Sequence, residues 1–416
     1  MKLRLSHHLY LLSSFLAAFA LSTAHSVVTS NSSSSSTHDP VGAVYLPDST
    51  RTGITSDLNV TKFIPYVNIL NRYIASKDQG SDHCPSLRPR VEWRTLTKVQ
   101  RQKYYKSIWC LSARPSLLAG TETNLTGRRT SLLDDFALIH IRLFYRIHYV
   151  AHFLPWHRYF VHAREVAMRD CGYDEPFPYW DWAIDADTGN VQGSSVLSGN
   201  FGVGGNGSEP DGTVTSGPFA YLPLSYRNDP VNLSTPVYDP HYLQRSFGTF
   251  AAPNKTYPMF EEGFNTSAVQ RVFITSGSSF STFSTLLEGL PQRKDIIGAG
   301  PHSAIHQTVG GDMRQAYSPN EPIFFLHHAN IDRLWWNWQN EDKTGRGQPS
   351  RPIDAFNFNR KFWAYSGNTV ELQINSTGGP QASLFDMQTL QGFILPNIET
   401  YKLMDITRPP LCYTYI

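Results

Sequence analysis

The segment Pro322-Ile323-Phe324-Phe325-Leu326-His327-His328-Ala329-Asn330-Ile331-Asp332-Arg333 decides how this chain is read. It lies in a stretch from Glu321 to Asn340 whose apolar spacing predicts a helix. Upstream, His302 and His306 are four residues apart, so on a helix their imidazoles share one face, one turn apart. Two ligands of one metal need that spacing. A third donor has to come from another element, and the His327-His328 doublet opens the next helix. Neighbouring side chains on a helix diverge by roughly 100°, so only one member of the doublet is expected to face inward.

A second group comprises His140, His148, His152, His157 and His162. His140 and His148 share a face if one helix carries both, whereas His157 follows Pro155-Trp156 at the start of another helix and approaches from elsewhere. Spacing alone leaves His148 and His152 as alternatives. A histidine taken singly is more often a core or surface residue than a ligand. Two clusters make a metal hypothesis, because neutral imidazole suits copper, zinc, iron and nickel. Structural zinc prefers thiolates or a closed four-ligand site, and non-haem iron usually wants a carboxylate. An all-imidazole pair of sites points to copper.

The 416 residues can bury a large core, and 40% hydrophobic with 13% aromatic residues excludes wholesale disorder. Residues 1–24 read as a secretory signal peptide: Lys2 and Arg4, a short apolar run from Leu9 to Leu21, then Ser22-Thr23-Ala24. Its removal takes the formal charge from +2 to zero, leaving no electrostatic case for nucleic acid or anionic membrane partners. Eight N-x-Ser/Thr sequons, at Asn31, Asn59, Asn124, Asn206, Asn232, Asn254, Asn265 and Asn375, fit a glycosylated protein secreted to the extracellular space. Cys84, Cys110, Cys171 and Cys412 suit an oxidising compartment and permit three complete pairings. Cys84–Cys412 with Cys110–Cys171 is favoured, since it ties the chain ends together.

Residues 25–50 are serine-rich and expected to form a disordered leader, with one helix-rich catalytic domain over 51–416. Helical spacing runs from Leu58 to Ala75 and Leu132 to Arg146, with further turns at Ser281 to Leu287 and His302 to Gln307. Thr97-Lys98-Val99-Gln100 resembles a capping box, opening a helix with Tyr105, Ile108 and Trp109 inside. Trp156 to Arg169 is another helix, stopped near Gly172. The Gly/Ser-rich stretch from Asp185 to Pro218 reads as an irregular surface excursion, and Val370, Leu372 and Ile374 look strand-like.

His148-Tyr-Val-Ala-His-Phe-Leu-Pro-Trp-His157-Arg158 resembles the copper A signature of tyrosinases and catechol oxidases, the type 3 binuclear copper family. Pro178-Tyr179-Trp180-Asp181-Trp182 resembles another block of that family. His302-Ser-Ala-Ile-His306, Gly310-Gly311-Asp312-Met313 and Ser318 through Trp335 resemble its copper B signature. The resemblance covers roughly residues 60 to 415. It implies a mainly α fold: a central four-helix bundle holding a binuclear copper site, with long irregular loops and a few short strands. It makes His140, His148 and His157 the copper A ligands and His302, His306 and His328 the copper B ligands. His327 then lies behind the ligands, and His152, His162 and His241 are bystanders. Phe324 is expected beside a copper A ligand, and Asp332 to orient ligands by hydrogen bonding.

The activity so implied is oxidation of o-diphenols to o-quinones, with dioxygen as co-substrate reduced to water and small phenols as the only partners. Monophenol hydroxylation needs a positioned base. Leu287-Glu288-Gly289 resembles the family block whose glutamate holds a water near copper B, which makes Glu288 that candidate. Strong hydroxylases often carry an asparagine after the first copper B histidine, where this chain has Ser303, so diphenol oxidation is favoured. Arg146 stands where some fungal members have a cysteine cross-linked to histidine, so no thioether is expected. Ala316 and Tyr317 fall where the family tunes access, and the small Ala316 suggests an open mouth. Tyr413-Thr414-Tyr415 resembles the mark that ends the catalytic domain, so no shielding domain and no latency are expected. The rival expectations are a tyrosinase, a methoxyphenol oxidase and, of another class, a haemocyanin-like reversible dioxygen carrier.

Overall fold

The computed structural model describes residues 83–119, 121, 127–248, 261–289, 300–341, 361–372 and 377–416. The expected signal peptide, the leader and the helix from Leu58 to Ala75 lie outside the described residues, as do the sequons at Asn31, Asn59, Asn124, Asn254 and Asn375.

Helix α1 (Lys98–Ala113) opens on the capping box at Thr97, whose hydroxyl accepts from the Gln100 amide while the Gln100 side chain accepts from Thr97 N–H. Its buried face carries Tyr104, Ser107, Ile108 and Leu111. Trp109, expected inside, is instead 38% exposed and donates its indole N–H to the Pro218 carbonyl. One residue on from Ile108, it is rotated roughly 100° away from the core. A second capping box, Ser131 with Asp134, starts α2 (Leu132–Ile147). Helix α3 (Phe153–Asp170) has Pro155 in its first turn and is followed by Gly172 in the left-handed region at φ 80°. Then come α4 (Trp182–Ala186), α5 (Thr266–Ser276), α6 (Phe280–Glu288), α7 (Gly300–Val309) and α8 (Pro322–Asn340). Helix α5 is not foretold by the sequence pattern: it buries only Ala268, Val272 and Ser276, too few to print a strong apolar period.

Helices α2, α3, α7 and α8 form the central bundle, with α3 packed along α8 and against α2, and α7 against both α6 and α8. Phe136 of α2, Phe160 of α3 and Phe325 of α8 interlock with centroids 5.5 to 5.6 Å apart. Each such ring contributes on the order of 1.5–3 kcal/mol by leaving water. Because α8 is surrounded, His327 and His328 are both buried, at 0% and 1% exposure. The expectation that one of the doublet turns outward is therefore corrected.

Strand β1 (Arg88–Glu92) lies between β2 (Phe177–Tyr179) and the terminal β7 (Tyr413–Tyr415), parallel to both. β3 (Pro223–Asn228) and β4 (Pro236–Tyr242) pair antiparallel, as do β5 (Met387–Gln388) and β6 (Ile398–Glu399). The disulfides are Cys84–Cys412, which fastens the start of the described chain to β7, and Cys110–Cys171, which joins the ends of α1 and α3. Two expectations are corrected. Residues 185–218 are irregular but no surface excursion, since Val191, Val196, Val203 and Val214 are wholly buried. Val370 and Leu372 are in no strand, and Leu372 is 56% exposed. Ile374 lies outside the described residues. No described helix is long and apolar enough to cross a membrane.

Candidate metal centre

Among the described residues, side chains able to hold a metal ion fall into two groups. His140, His148 and His157 form one, and His302, His306, His327 and His328 the other, with donor atoms in each within 4.8 Å of one another. The groups adjoin: the His157 and His328 rings stack at 4.4 Å, and His148 and His302 lie 6.2 Å apart.

Helix α2 carries His140 in its third turn but ends at Ile147, so His148 is the residue that closes it. The shared-face reading of this pair therefore fails. The helix end explains the new arrangement. Carbonyls in the last turn lack helical donors, and the His148 Nδ1 donates to that of Phe144 at 3.0 Å. His157 Nδ1 also reaches back four residues, to the Phe153 carbonyl in the first turn of α3, at 2.8 Å. His140 Nδ1 donates to Ala316 at 2.6 Å, and His306 Nδ1 to Met313 at 2.5 Å. A carbonyl can only accept, so these four Nδ1 atoms carry the proton and each Nε2 keeps its lone pair. Nε2 of His306 and both ring nitrogens of His302, His327 and His328 have no hydrogen-bond partner although buried. Orphaned buried nitrogens are rare in proteins and mark a role outside internal hydrogen bonding.

All seven imidazoles are held neutral. Burial is the main cause, pushing His148 down to about 3, and burial with neighbouring imidazoles holds His140 and His157 well below the usual range. His306 is depressed to about 4 by burial, and His302, His327 and His328 well below the usual range. The neutral ring is the ligating form, because one of its two nitrogens keeps an unprotonated lone pair. Soft-to-borderline nitrogen donors without thiolate or carboxylate fit copper.

The remaining predicted residues sort differently. Phe324 packs at 5.3 Å from the His140 ring and 4.2 Å from that of His328. Asp332 bonds no histidine, contrary to expectation. It accepts from Arg90 at 3.1 Å, from Arg158, and from the hydroxyls of Tyr413 and Tyr415, so its oxygens are spent on clamping β1, α3 and β7 to α8. Backbone carbonyls do the orienting expected of Asp332, and they carry no sequence signal that could have revealed them. Ala316 and Tyr317 do not frame an open mouth, being 2% and 7% exposed. Ala316 acts through its carbonyl on His140, while Tyr317 faces His241 at 6.1 Å. Glu288 is buried, and both its oxygens share the single N–H of Tyr149, next to His148, at 2.8 and 2.9 Å. Burial, the main cause, raises its carboxyl well above the usual range, and Glu371 adds to this. Ser303 donates to the backbone carbonyl of Glu288 at 2.5 Å rather than to its carboxylate. His152 bonds the Tyr365 hydroxyl, and His162 lies against Tyr159, away from both groups.

A helix bundle with two adjoining imidazole groups defines a class of protein equipped to hold a pair of metal ions in its core. Residues 130–341, half of the chain, match the common central domain of tyrosinase. Tyrosinase-like protein phomQ1' of Diaporthe leptostromiformis is 32% identical over 343 residues, covering 80% of each chain. Tyrosinase P of Aspergillus terreus is 28% identical over 383 residues, covering 82% of this chain and 97% of its own. The solved structure of a mutant polyphenol oxidase from Thermothelomyces thermophila superposes with TM-score 0.65 at 27% identity, covering 84% of this chain and 95% of that one. The chain belongs to the tyrosinase family of copper oxidoreductases.

Proposed function

We propose that this protein oxidises o-diphenols to o-quinones with dioxygen. The observation that carries the reading is the set of buried, neutral imidazoles whose candidate donor nitrogens converge in two adjoining groups. His140, His148 and His157 would hold copper A, and His302, His306 and His328 copper B. Copper bound there supplies the electron transfer between diphenol and dioxygen. The protein's share is to fix His140, His148, His157 and His306 through Nδ1–carbonyl bonds that leave their Nε2 lone pairs unprotonated, and to pack Phe153 against His302 at 4.7 Å and Phe324 against His328 at 4.2 Å. Two diphenols surrender four electrons and four protons, which convert one dioxygen to two waters, so the overall reaction needs no outside proton.

The Glu288 site favours oxidation over hydroxylation. Its carboxyl is sequestered on Tyr149 N–H, and Ser303 spends its proton on a carbonyl, so neither is arranged as a ready base for an incoming monophenol. Oxygen uptake with catechol, tyrosol and guaiacol tests this. Catechol is expected to turn over at least about 10-fold faster than tyrosol, a cautious bound below the roughly 10²–10⁴ that a positioned acid–base group supplies. Lag-free tyrosol turnover at the catechol rate would contradict it. Replacing Glu288 with Gln is expected to change tyrosol and catechol turnover by the same factor, read from the two kcat/KM values, and a loss confined to tyrosol would show Glu288 to be a working base. Among relatives, N-acetyl-6-hydroxytryptophan oxidase of Emericella nidulans is 28% identical over 365 residues, and its name is consistent with a hydroxylated aromatic substrate here.

We also read the protein as secreted and glycosylated. In support, Asn206 and Asn232 are exposed, and the Ser234 hydroxyl bonds the Asn232 side chain at 2.8 Å. Peptide mapping of secreted material before and after deglycosylation checks both sequons.

A further inference from the structure

One short loop serves both metal groups. It runs from Gly310 to Tyr317, between α7 and α8, and its Met313 carbonyl fixes His306 while its Ala316 carbonyl fixes His140. No other described segment supplies carbonyls to histidines of both groups.

What holds this loop is specific. Gly310 and Gly311 have φ of 64° and 54°, and a Cβ on them would come within 2.4 Å of Ser246 O and 2.2 Å of Gln244 O. Only glycine permits that conformation and that approach together. Asp312, 1% exposed, is then clasped to the segment after β4. Its N–H donates to Gln244 O at 3.0 Å, and its carboxylate accepts from Gln244 N–H at 3.2 Å. The second oxygen faces the His241 ring at 3.4 Å. At its far end the loop is pinned by Ala316 N–H, which donates to the Asn228 side chain on β3 at 3.2 Å. The β3–β4 hairpin thus grips both ends of the loop.

We propose that Asp312 is a positioning residue for both metal sites at once. By locking Gly310–Tyr317 onto Gln244 and His241, it sets the two carbonyls that fix the tautomer and ring orientation of His306 and His140. Partners behind metal ligands typically contribute roughly 10- to 100-fold in metal affinity. A shared support should therefore weaken both sites together. The inference rests on the copper reading above, and the test separates the two.

Copper-loaded parent protein, Asp312→Ala and Asp312→Asn are titrated with a chelator, and the copper retained per chain is measured by atomic absorption beside far-UV circular dichroism. Asp312→Ala is expected to lose both coppers at about 10-fold or lower chelator strength. Asp312→Asn, whose amide oxygen can still accept from Gln244, should recover most of the loss. Gly311→Ala, which displaces the loop without touching a charge, provides the second measure should Asp312→Ala not fold, with the same joint loss expected. Retention equal to the parent's in the folded variants, or weakening of one copper only, overturns the proposal. Failure of the parent itself to hold two coppers refutes the copper reading instead.

Discussion

Replacing His328 with Ala is expected to lower diphenol oxidation by more than about 100-fold, beyond the upper range for losing a mere supporting partner. Its ring stacks on His157 at 4.4 Å and 11° and packs at a tilt against Phe324 at 4.2 Å, so it stands where the two groups meet. Both its nitrogens are buried without partners, so nothing inside the protein makes use of them as a bound metal would. His327 is equally buried, but its ring neighbours are His302, His306, His328 and Trp182, none of them in the copper A group. Replacing His327 should therefore cost less activity and leave the copper content closer to that of the parent. Measured kcat and copper per chain for both variants decide the matter, and equal retention in both would overturn the assignment of His328.

The second large effect concerns Asp332. Removing its carboxylate leaves the guanidinium groups of Arg90 and Arg158 buried without that counter-charge and deprives two tyrosine hydroxyls of their acceptor. Breaking a buried ion pair from one side costs about 3–5 kcal/mol. Arg90 keeps Glu165 at 3.0 Å and lies over the Tyr413 ring at 3.5 Å, so the lower half of that range is expected for Asp332→Ala. Arg158 also donates to Leu403 O at 2.7 Å and stacks on Trp335 at 3.6 Å, which limits the loss further. The unfolding midpoint should fall by at least about 5 °C, given about 2–4 °C per kcal/mol in larger domains. An unchanged midpoint would show that the clamp contributes nothing. The His157 and His328 helices are joined at this clamp, through Arg158 and Asp332, so a milder loss of copper affinity should accompany the lower midpoint.

Much of the bundle is legible in the sequence because α2, α3, α7 and α8 print apolar periods or histidine spacings that survive folding. The capping boxes at Thr97 and Ser131 show how local chemistry fixes element starts. The corrected expectations share a tertiary cause. A helix with a wet side would turn one of the doublet outward, but α8 is enclosed, so His327 stays with the histidines. A shared face for His140 and His148 needs a helix that runs on, whereas α2 stops and a freed carbonyl captures the His148 ring. Asp332 has the place of a ligand orienter, one turn after His328, yet Arg90, Arg158 and two distant tyrosines claim it. Such long-range partners and backbone carbonyls leave no mark on a local pattern.

The central claim is a pair of copper ions held by six imidazoles. Metal analysis of copper-loaded, desalted protein tests it most directly. Two coppers per chain are expected, falling together when Asp312 is replaced and falling on loss of His157 or His328. One copper per chain or fewer in the parent would contradict the binuclear site.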